Sequence, residues 1–347
     1  MSNFLWHIPD WLEWDYYRVF GSITTPNGQT IDIGNPNDVT GAAYFEFAGN
    51  YRWLVQSTIH ANGNDGVAEP RTIYFRPAEG VARWMRLEIN IPDDVCWLNG
   101  CDMASGGYAV YAYGGTELNV PALDINNCRF ADSEYQNVLV SGDISVHFTD
   151  CEFTGAQWDG LTISNNENRS TVRTSTFSGN GSAGTYYAAL RFNSSFPLGD
   201  AIASNTIGLN PNRGVYFFSS APDFGGQGVG ANVIYNNGPD QGQGGLIGAE
   251  LYLTTGSEPT ITQTNIWDAD GQGTLWQDDY ITGVDWPPQL DEDDDFEAGV
   301  ALQRAGRSRE AVDRFLNYLH RDGSKLQINA LHRLFWSWRI TQLPPIR

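Results

Sequence analysis

Lysine is almost absent from this 347-residue sequence: Lys325 is the only one, so 19 of the 20 basic residues are arginine. Acidic residues number 41, which gives a formal net charge of −21. A surface of that sign repels nucleic acid and anionic membranes, so neither is expected as a partner. An acidic, lysine-poor composition fits a salt-adapted protein and an ordinary acidic protein equally well.

Long hydrophobic runs are also missing, since no stretch of about 18 apolar residues occurs, and no membrane insertion is expected. The first residues have neither the basic start nor the apolar core of a signal peptide. Cysteine is scarce, and the complete set is Cys96, Cys101, Cys128 and Cys151. No two of them form a CxxC pair and no histidine lies near them at zinc spacing, so we expect no metal and no other cofactor.

One short motif recurs along the middle of the chain: a small or polar residue, any residue, a large apolar residue, and then turn residues. Its copies lie at 101–103, 128–130, 151–153, 175–177, 205–207 and 232–234, which are 23 to 30 residues apart. A second short run of β-forming residues follows the motif, as at 137–140 and 160–163. This period predicts coils of a parallel β-helix, because leucine-rich repeats need a leucine framework that the chain lacks.

Alternation within the motif assigns each member to a face of its strand. The third members should form a buried stack of Met103, Phe130, Phe153, Phe177, Ile207 and Ile234. The first members should form an inward column of Cys101, Cys128, Cys151, Ser175, Asn205 and Asn232. Stacked side chains point the same way, so we expect free buried thiols in this column, and the state of Cys96 stays open. The middle members begin Asp102, Arg129 and Glu152, which indicates either a ladder of surface ion pairs or a binding strip.

Short apolar strands beside Gly, Asn or Pro turns also occur earlier, at 30–33, 53–63, 72–77 and 83–87. Together with the motif, they resemble the coils of secreted bacterial right-handed parallel β-helix proteins, the pectate-lyase-like superfamily in the broad sense. The resemblance covers residues 18–284 and implies an all-β solenoid located outside the cell or on its surface. It does not specify an activity, because this fold hosts lyases, hydrolases, epimerases, adhesins and inert spacers.

The catalytic signatures of the enzyme members are mostly missing. The adjacent Asp pairs before the acidic run are Asp93-Asp94 and Asp278-Asp279, and the coil region contains no lysine. The histidines before residue 296 (His7, His60 and His147) are isolated in the sequence, and we expect each of them to be a surface or locally bonded residue.

Arginine-based catalysis has equally little support. Arg191 is the one outward arginine in the second-strand column, and no acidic column is expected to face it. Aspartates in the long turns (Asp143, Asp159 and Asp223) are not assigned to a face by alternation. Whether the chain is catalytic therefore depends on where these three aspartates lie.

Outward aromatic residues give the better functional signal. Aromatic rings on a flat β face can stack on sugar rings, and nearby polar groups can bond the hydroxyls. The candidate ligand-binding residues are Tyr111, Tyr113, Trp158, Asp159, Arg191 and Tyr216. Packing beneath long turns is the alternative explanation for the same rings.

Both ends of the solenoid differ in composition from the coils. Residues 1–17 are rich in aromatics, which is typical of a cap over the first coil. An acidic, proline-containing linker is expected at 285–295, and a helical tail at 296–347. The tail resembles one tetratricopeptide unit at Ala301, Leu302, Gly306, Ala311 and Phe315.

Two functional hypotheses follow. In the first, the chain is a non-catalytic extracellular or cell-surface β-helix that binds polysaccharide or another surface protein, or acts only as a spacer. In the second, it is a divergent polysaccharide lyase or glycoside hydrolase.

Overall fold

The computed structural model of the chain describes most residues of the expected solenoid and few beyond it. The described residues are 5–8, 15–33, 43–56, 58–63, 73–91, 95–114, 121–166, 170–184, 186–195, 202–225, 231–238, 251–254, 257, 260–261, 265–268, 281–283 and 312. The expected linker at 285–295, and all of the expected tail except residue 312, lie outside this set. So does the pair Asp278-Asp279.

Thirty short strands occur in the described part of the chain. They are β1 (Leu5–Ile8), β2 (Asp15–Val19), β3 (Ile23–Thr25), β4 (Thr30–Ile33), β5 (Ala43–Phe47), β6 (Arg52–Val55), β7 (Thr58–Asn62), β8 (Ile73–Pro77), β9 (Arg86–Ile91), β10 (Cys96–Asn99), β11 (Cys101–Ala104), β12 (Val110–Gly114), β13 (Pro121–Asn126), β14 (Arg129–Ala131), β15 (Val138–Ser141), β16 (Ser145–Thr149), β17 (Glu152–Thr154), β18 (Leu161–Ser164), β19 (Thr171–Arg173), β20 (Thr176–Ser178), β21 (Ala188–Asn193), β22 (Ile202–Ala203), β23 (Thr206–Gly208), β24 (Arg213–Phe218), β25 (Asp223–Phe224), β26 (Val233–Tyr235), β27 (Leu251–Leu253), β28 (Thr260–Ile261), β29 (Ile266–Asp268) and β30 (Ile281–Gly283).

The strands form three long sheets, and each coil adds one strand to each sheet in turn. Sheet A has the order β1-β2-β5-β8-β11-β14-β17-β20-β23-β26-β29, sheet B the order β3-β6-β9-β12-β15-β18-β21-β24-β27-β30, and sheet C the order β4-β7-β10-β13-β16-β19-β22-β25-β28. Neighbouring strands are parallel, except that β1 pairs antiparallel with β2 at the end of sheet A. This arrangement is a parallel β-helix, as the repeat predicts. The expected cap boundary between residues 17 and 18 falls inside β2.

The interior stack expected from the motif is present. Its members are fully or almost fully buried, and neighbours occupy paired positions on adjacent strands of sheet A. The rings of Phe130 and Phe153 are 5.3 Å apart, and those of Phe153 and Phe177 are 4.5 Å apart and nearly parallel. Each buried Phe of this kind contributes roughly 1.5–3 kcal/mol through the hydrophobic effect.

The inward column of small and polar residues is also present. Its three cysteines are buried and are not joined by a disulfide, as expected, and the same holds for Cys96. From Ser175 onward the column becomes a hydrogen-bonded ladder. Asn205 Oδ1 accepts from the Ser175 backbone N–H at 2.9 Å, and Asn232 Oδ1 accepts from the Asn205 N–H at 3.0 Å. Asn265 continues the pattern. These side chains satisfy backbone groups where the chain turns from sheet C into sheet A.

Similar ladders occupy the other two corners. Between sheets A and B, Asn180 Nδ2 donates to Asn210 Oδ1 at 3.2 Å, and Asn210 Nδ2 donates to Asn237 Oδ1 at 2.7 Å. Between sheets B and C, the hydroxyls of Ser195 and Ser220 accept from backbone N–H groups one coil earlier. Each corner therefore pairs its backbone groups with side chains of the next coil.

A left-handed backbone residue stands immediately before the ladder residue at the corner between sheets C and A. Asn127, Asp150, Thr174 and Ser204 have φ values of 49°, 54°, 49° and 58°. Short polar side chains tolerate this region better than large ones, because they can bond the local backbone. This conformation recurs at the same corner in these four coils, where the chain bends from sheet C into sheet A.

The outward column of sheet A begins as a ladder of ion pairs. Arg129 Nη1 is 3.3 Å from Asp102 Oδ1, and Arg129 Nε is 3.6 Å from Glu152 Oε1. Arg76 extends the ladder, with Nη2 at 2.6 Å from Asp102 Oδ2. This geometry agrees with the surface ion-pair interpretation of the motif's middle members. In the described part of the chain, no helix is long and apolar enough to cross a membrane.

Candidate functional site

The outward face of sheet B carries three of the six candidate residues in one column. Tyr111, Leu139, Thr162, Arg191 and Tyr216 occupy paired positions on successive strands, as expected. The column extends at both ends to residues that sequence reasoning missed, because Glu88 pairs with Tyr111 and Tyr252 pairs with Tyr216. Glu88 therefore adds a carboxylate to the column, one coil before Tyr111.

Glu88 is the centre of a first cluster, here called the Glu88 cluster. The carboxylate belongs to a residue that is only 5% exposed. Arg86 Nε donates to it at 2.8 Å, Arg52 Nη1 at 3.1 Å and the Tyr113 hydroxyl at 3.2 Å. Burial, and then the nearby Glu88 charge, raise the pKa of Tyr113. The Arg86 guanidinium lies 5.4 Å from the Tyr111 ring, so charge and aromatic surface are combined here.

Four aromatic rings from successive coils form a row, here called the aromatic row, where the chain enters sheet B. The ring centroids of Tyr108 and Tyr135 are 5.1 Å apart, those of Tyr135 and Trp158 are 4.8 Å apart, and those of Trp158 and Tyr187 are 5.2 Å apart. Trp158 lies in the turn before β18, as the sequence predicts. All four rings are partly exposed. One end of the row contacts the Glu88 cluster, because the Tyr108 ring contacts the Tyr111 ring. The other end reaches a second cluster.

Asp159 anchors the second cluster, here called the Arg191 cluster. This side chain is only 1% exposed. Oδ1 accepts from the Ala188 N–H at 2.7 Å, Oδ2 accepts from the Thr162 hydroxyl at 3.1 Å, and Arg191 Nε is 3.2 Å from Oδ1. Burial raises the pKa of Asp159 despite the opposing effects of Arg191 and these hydrogen bonds.

Two sequence-based expectations are corrected by this geometry. Asp159 was expected to offer hydrogen bonds to sugar hydroxyls, but it is buried and both oxygens are occupied inside the protein. Arg191 was expected to face no acidic residue, but it is ion-paired with Asp159. Asp159 therefore positions Arg191 from below, with both of its oxygens bonded inside the protein.

Cations and aromatic rings alternate across the Arg191 cluster. The Arg191 guanidinium lies 4.6 Å from the Tyr216 ring. Arg213 lies 5.0 Å from the same ring and 4.0 Å from the Tyr252 ring. Burial raises the pKa of Tyr216, so its hydroxyl stays protonated at neutral pH. Such alternation holds both guanidinium groups in fixed positions on the face of sheet B.

Exposed aromatic side chains stand at the margin of this cluster. Tyr186 is 74% exposed, and its backbone carbonyl accepts a hydrogen bond from Arg191. Phe218 is 47% exposed and contacts the Tyr216 ring. Sequence reasoning missed both. The available signal was the pair Tyr186-Tyr187 directly before β21.

The described carboxylates are poorly arranged for glycoside hydrolysis, which normally needs two carboxyl groups about 5–9.5 Å apart with the scissile bond between them. Asp102 and Glu152 are two rungs apart, or about 9.6 Å, but Arg129 lies between them and pairs with both. Glu88 lies three rungs, about 14 Å, from Thr162, the residue that Asp159 bonds. Neither pair offers a free acid beside a free base.

The described histidines have local partners on sheet C. His60 Nδ1 is 3.0 Å from Asp32 Oδ1, and its ring stacks on Trp97 at 3.4 Å between centroids. His147 Nδ1 is 3.3 Å from Asp124 Oδ1. These contacts agree with locally bonded histidines, although neither is isolated in the structure. The side chain of His7 lies outside the described set.

Comparison with protein families identifies the fold independently. The family model described as a right-handed beta helix region matches residues 92–273, just over half of the chain. Searches of curated proteins and of solved structures give no significant match. The matched segment contains the aromatic row and the Arg191 cluster. All three sheets begin before it, and sheet B continues beyond it to β30. The chain therefore belongs to the right-handed β-helix family.

Proposed function

We propose that this chain is a non-catalytic carbohydrate-binding β-helix that works outside the cell or on its surface. The observation that carries the proposal is the aromatic row on sheet B, which joins two clusters of arginine and tyrosine. Partly exposed aromatic edges and faces, with fixed hydrogen-bond donors beside them, are the features that bind sugar rings. The resemblance to pectate-lyase-like proteins supports the same class of ligand.

The geometry favours an extended ligand over a single sugar. Tyr111 and Tyr216 are four rungs apart in one column of sheet B, which corresponds to about 19 Å. On the rungs between them, Trp158 and Tyr187 lie at the edge of the same face. An oligosaccharide lying along the helix axis would contact both clusters, whereas a monosaccharide would contact only one.

The proposal is tested by a glycan array followed by calorimetric titration of the ligands that bind. Tyr186→Ala removes a highly exposed ring, so its effect on folding should be small. We expect this variant and Trp158→Ala each to lower affinity about fivefold, since one stacked ring contributes about 1 kcal/mol. The matched control is Tyr235→Ala, which removes a partly exposed tyrosine from sheet A.

Two outcomes of this experiment would contradict the proposal. One is the absence of binding to every neutral and acidic glycan tested. The other is binding that Tyr186→Ala and Trp158→Ala leave unchanged, which would place the ligand on another face. Affinity that increases with oligosaccharide length up to about 19 Å would support the axial arrangement.

A divergent polysaccharide lyase or glycoside hydrolase is the second candidate. Asp159 favours it, because a buried carboxyl group with a raised pKa beside a cation is typical of functional sites. The test is incubation with acidic and neutral polysaccharides, read by product absorbance and by new reducing ends. Turnover that Asp159→Asn abolishes would establish the enzyme and overturn the non-catalytic proposal.

A further inference from the structure

Arg213 differs from the other arginines of sheet B in its charge environment. Arg52 and Arg86 pair with Glu88, and Arg191 pairs with Asp159. Among the described residues, no Asp or Glu lies within ion-pair distance of Arg213. Its contacts are the rings of Tyr216 and Tyr252. A positive charge is therefore held on this face without a negative partner among the described residues, on a chain whose net charge is −21.

The Arg213 side chain is held in a position that lowers the stability of the folded protein. Its Nη1 is buried and has no hydrogen-bond acceptor in the described part of the chain. Burial lowers the pKa of Arg213, and the nearby Arg191 charge lowers it further. A buried donor without an acceptor costs about 1–3 kcal/mol, more when it is charged. An arrangement of this kind is explained when a second molecule supplies the missing acceptor.

The geometry suits a planar or tetrahedral oxyanion. Two tyrosine rings hold the guanidinium, and the side chain is partly exposed, so part of it faces solvent. A guanidinium binds carboxylate and sulfate through two parallel hydrogen bonds in its own plane. Arg191 also lies against the Tyr216 ring, 4.6 Å from its centroid, and adds a second positive charge. An anion near Arg213 would reduce the repulsion between the two cations.

We propose that Arg213, supported by Tyr216 and Tyr252, is the subsite for an oxyanion of the ligand, a carboxylate or a sulfate group on an acidic glycan. This inference rests on the proposed carbohydrate-binding function and names its substrate class. It makes the Arg191 cluster the end of the binding face that recognises charge, and the aromatic row the part that recognises sugar rings.

Calorimetric titration with neutral, carboxylated and sulfated forms of one oligosaccharide tests the subsite. The wild-type protein should bind at least one charged form about tenfold or more tighter than the neutral form, because charge-assisted hydrogen bonds contribute about 1.5–3 kcal/mol. Arg213→Gln should remove that preference, so that the charged and neutral forms bind with about equal affinity. Arg173→Gln, the control, removes the same charge from sheet C and should keep the preference. A preference that persists in Arg213→Gln would overturn the inference.

A second measurement separates this inference from the proposed function. Thermal unfolding is followed in sodium sulfate and in sodium acetate, each compared with sodium chloride at equal ionic strength. The melting temperature of the wild-type protein should rise more than that of Arg213→Gln in at least one of the two salts. If no glycan binds but this difference appears, the oxyanion site stands and the carbohydrate proposal fails. Equal responses of the two proteins in both salts would overturn the oxyanion site.

Discussion

Asn205 donates a hydrogen bond from Nδ2 to Oδ1 of Asn232, 3.0 Å away and one coil later. The same Asn232 oxygen also accepts from the Asn205 backbone N–H. One buried amide therefore joins the backbone of one coil to the side chain of the next. The ladder fixes the spacing of the two coils. It also supplies acceptors to backbone N–H groups at the corner, which have no partner within the sheets.

Replacement of Asn205 by alanine should destabilise the protein by about 2–4 kcal/mol. The change leaves the Ser175 N–H and the Val172 carbonyl without their side-chain partner inside the core. Urea unfolding gives the free energy of unfolding directly. Thr206→Ala, at the outward neighbouring position, is the control and should stay within about 0.5 kcal/mol of wild type. Equal effects of the two substitutions would show that the ladder adds no stability.

Phe153→Ala should cost about 3–5 kcal/mol, because it opens a cavity between two stacked rings of sheet A. Phe218→Ala removes the same ring from an exposed position and should cost about 0.5 kcal/mol or less. The comparison separates the effect of burial from that of ring size. A loss below about 1 kcal/mol for Phe153→Ala would contradict the buried stack.

Asp159 should make the free energy of unfolding depend on pH. Burial raises its pKa in the folded state above the ordinary 3.8, so the folded protein holds this proton more tightly than the unfolded chain. The stabilising contribution is fully present below the ordinary pKa and is lost as the pH rises through the folded-state pKa. The difference in unfolding free energy between wild type and Asp159→Asn should therefore fall as the pH increases from about 3 to about 8. A difference that rises instead would mean that the ion pair with Arg191 outweighs burial.

Salt should raise the melting temperature. Residues 1–284 contain 31 acidic and 11 basic residues, and 11 minus 31 is a net charge of −20. Such a body repels itself, and added ions screen that repulsion. Thermal unfolding between low and molar sodium chloride gives the measurement. A melting temperature that stays flat or falls would show that the surface ion pairs, which salt weakens, dominate over the net repulsion.

The coils could be predicted from the sequence because their signal is local and repeated. Phe130 and Phe153 occupy the same place in neighbouring copies of one motif, so the alternation of strand residues assigns both to the interior. The same rule places Tyr111 and Tyr216 on one outward column. Wherever strands repeat in register, a residue's face follows from its position in the motif.

The turns could not be predicted in the same way. Asp159 lies in the turn before β18, where no alternation fixes the side-chain direction, and only the fold shows that it lies beneath Arg191. Glu88 was missed for a different reason, because β9 precedes the first clear copy of the motif. Arg213 is the first residue of β24, and its surroundings, in which no described residue is an acidic partner, depend on side chains from three coils. Contacts of that kind follow from coil stacking and not from the local pattern.

The corner ladders also bear on how a protein of this kind can change during evolution. Each coil pairs only with the coil before it and the coil after it, so duplication or deletion of a whole coil disturbs two interfaces and no others. A new coil joins the stack when it carries an amide or hydroxyl at the corner and apolar residues inside. Gene segments of 23 to 30 codons, the spacing of the motif copies, are thus natural units of growth, and each one lengthens the three sheets by about 4.8 Å.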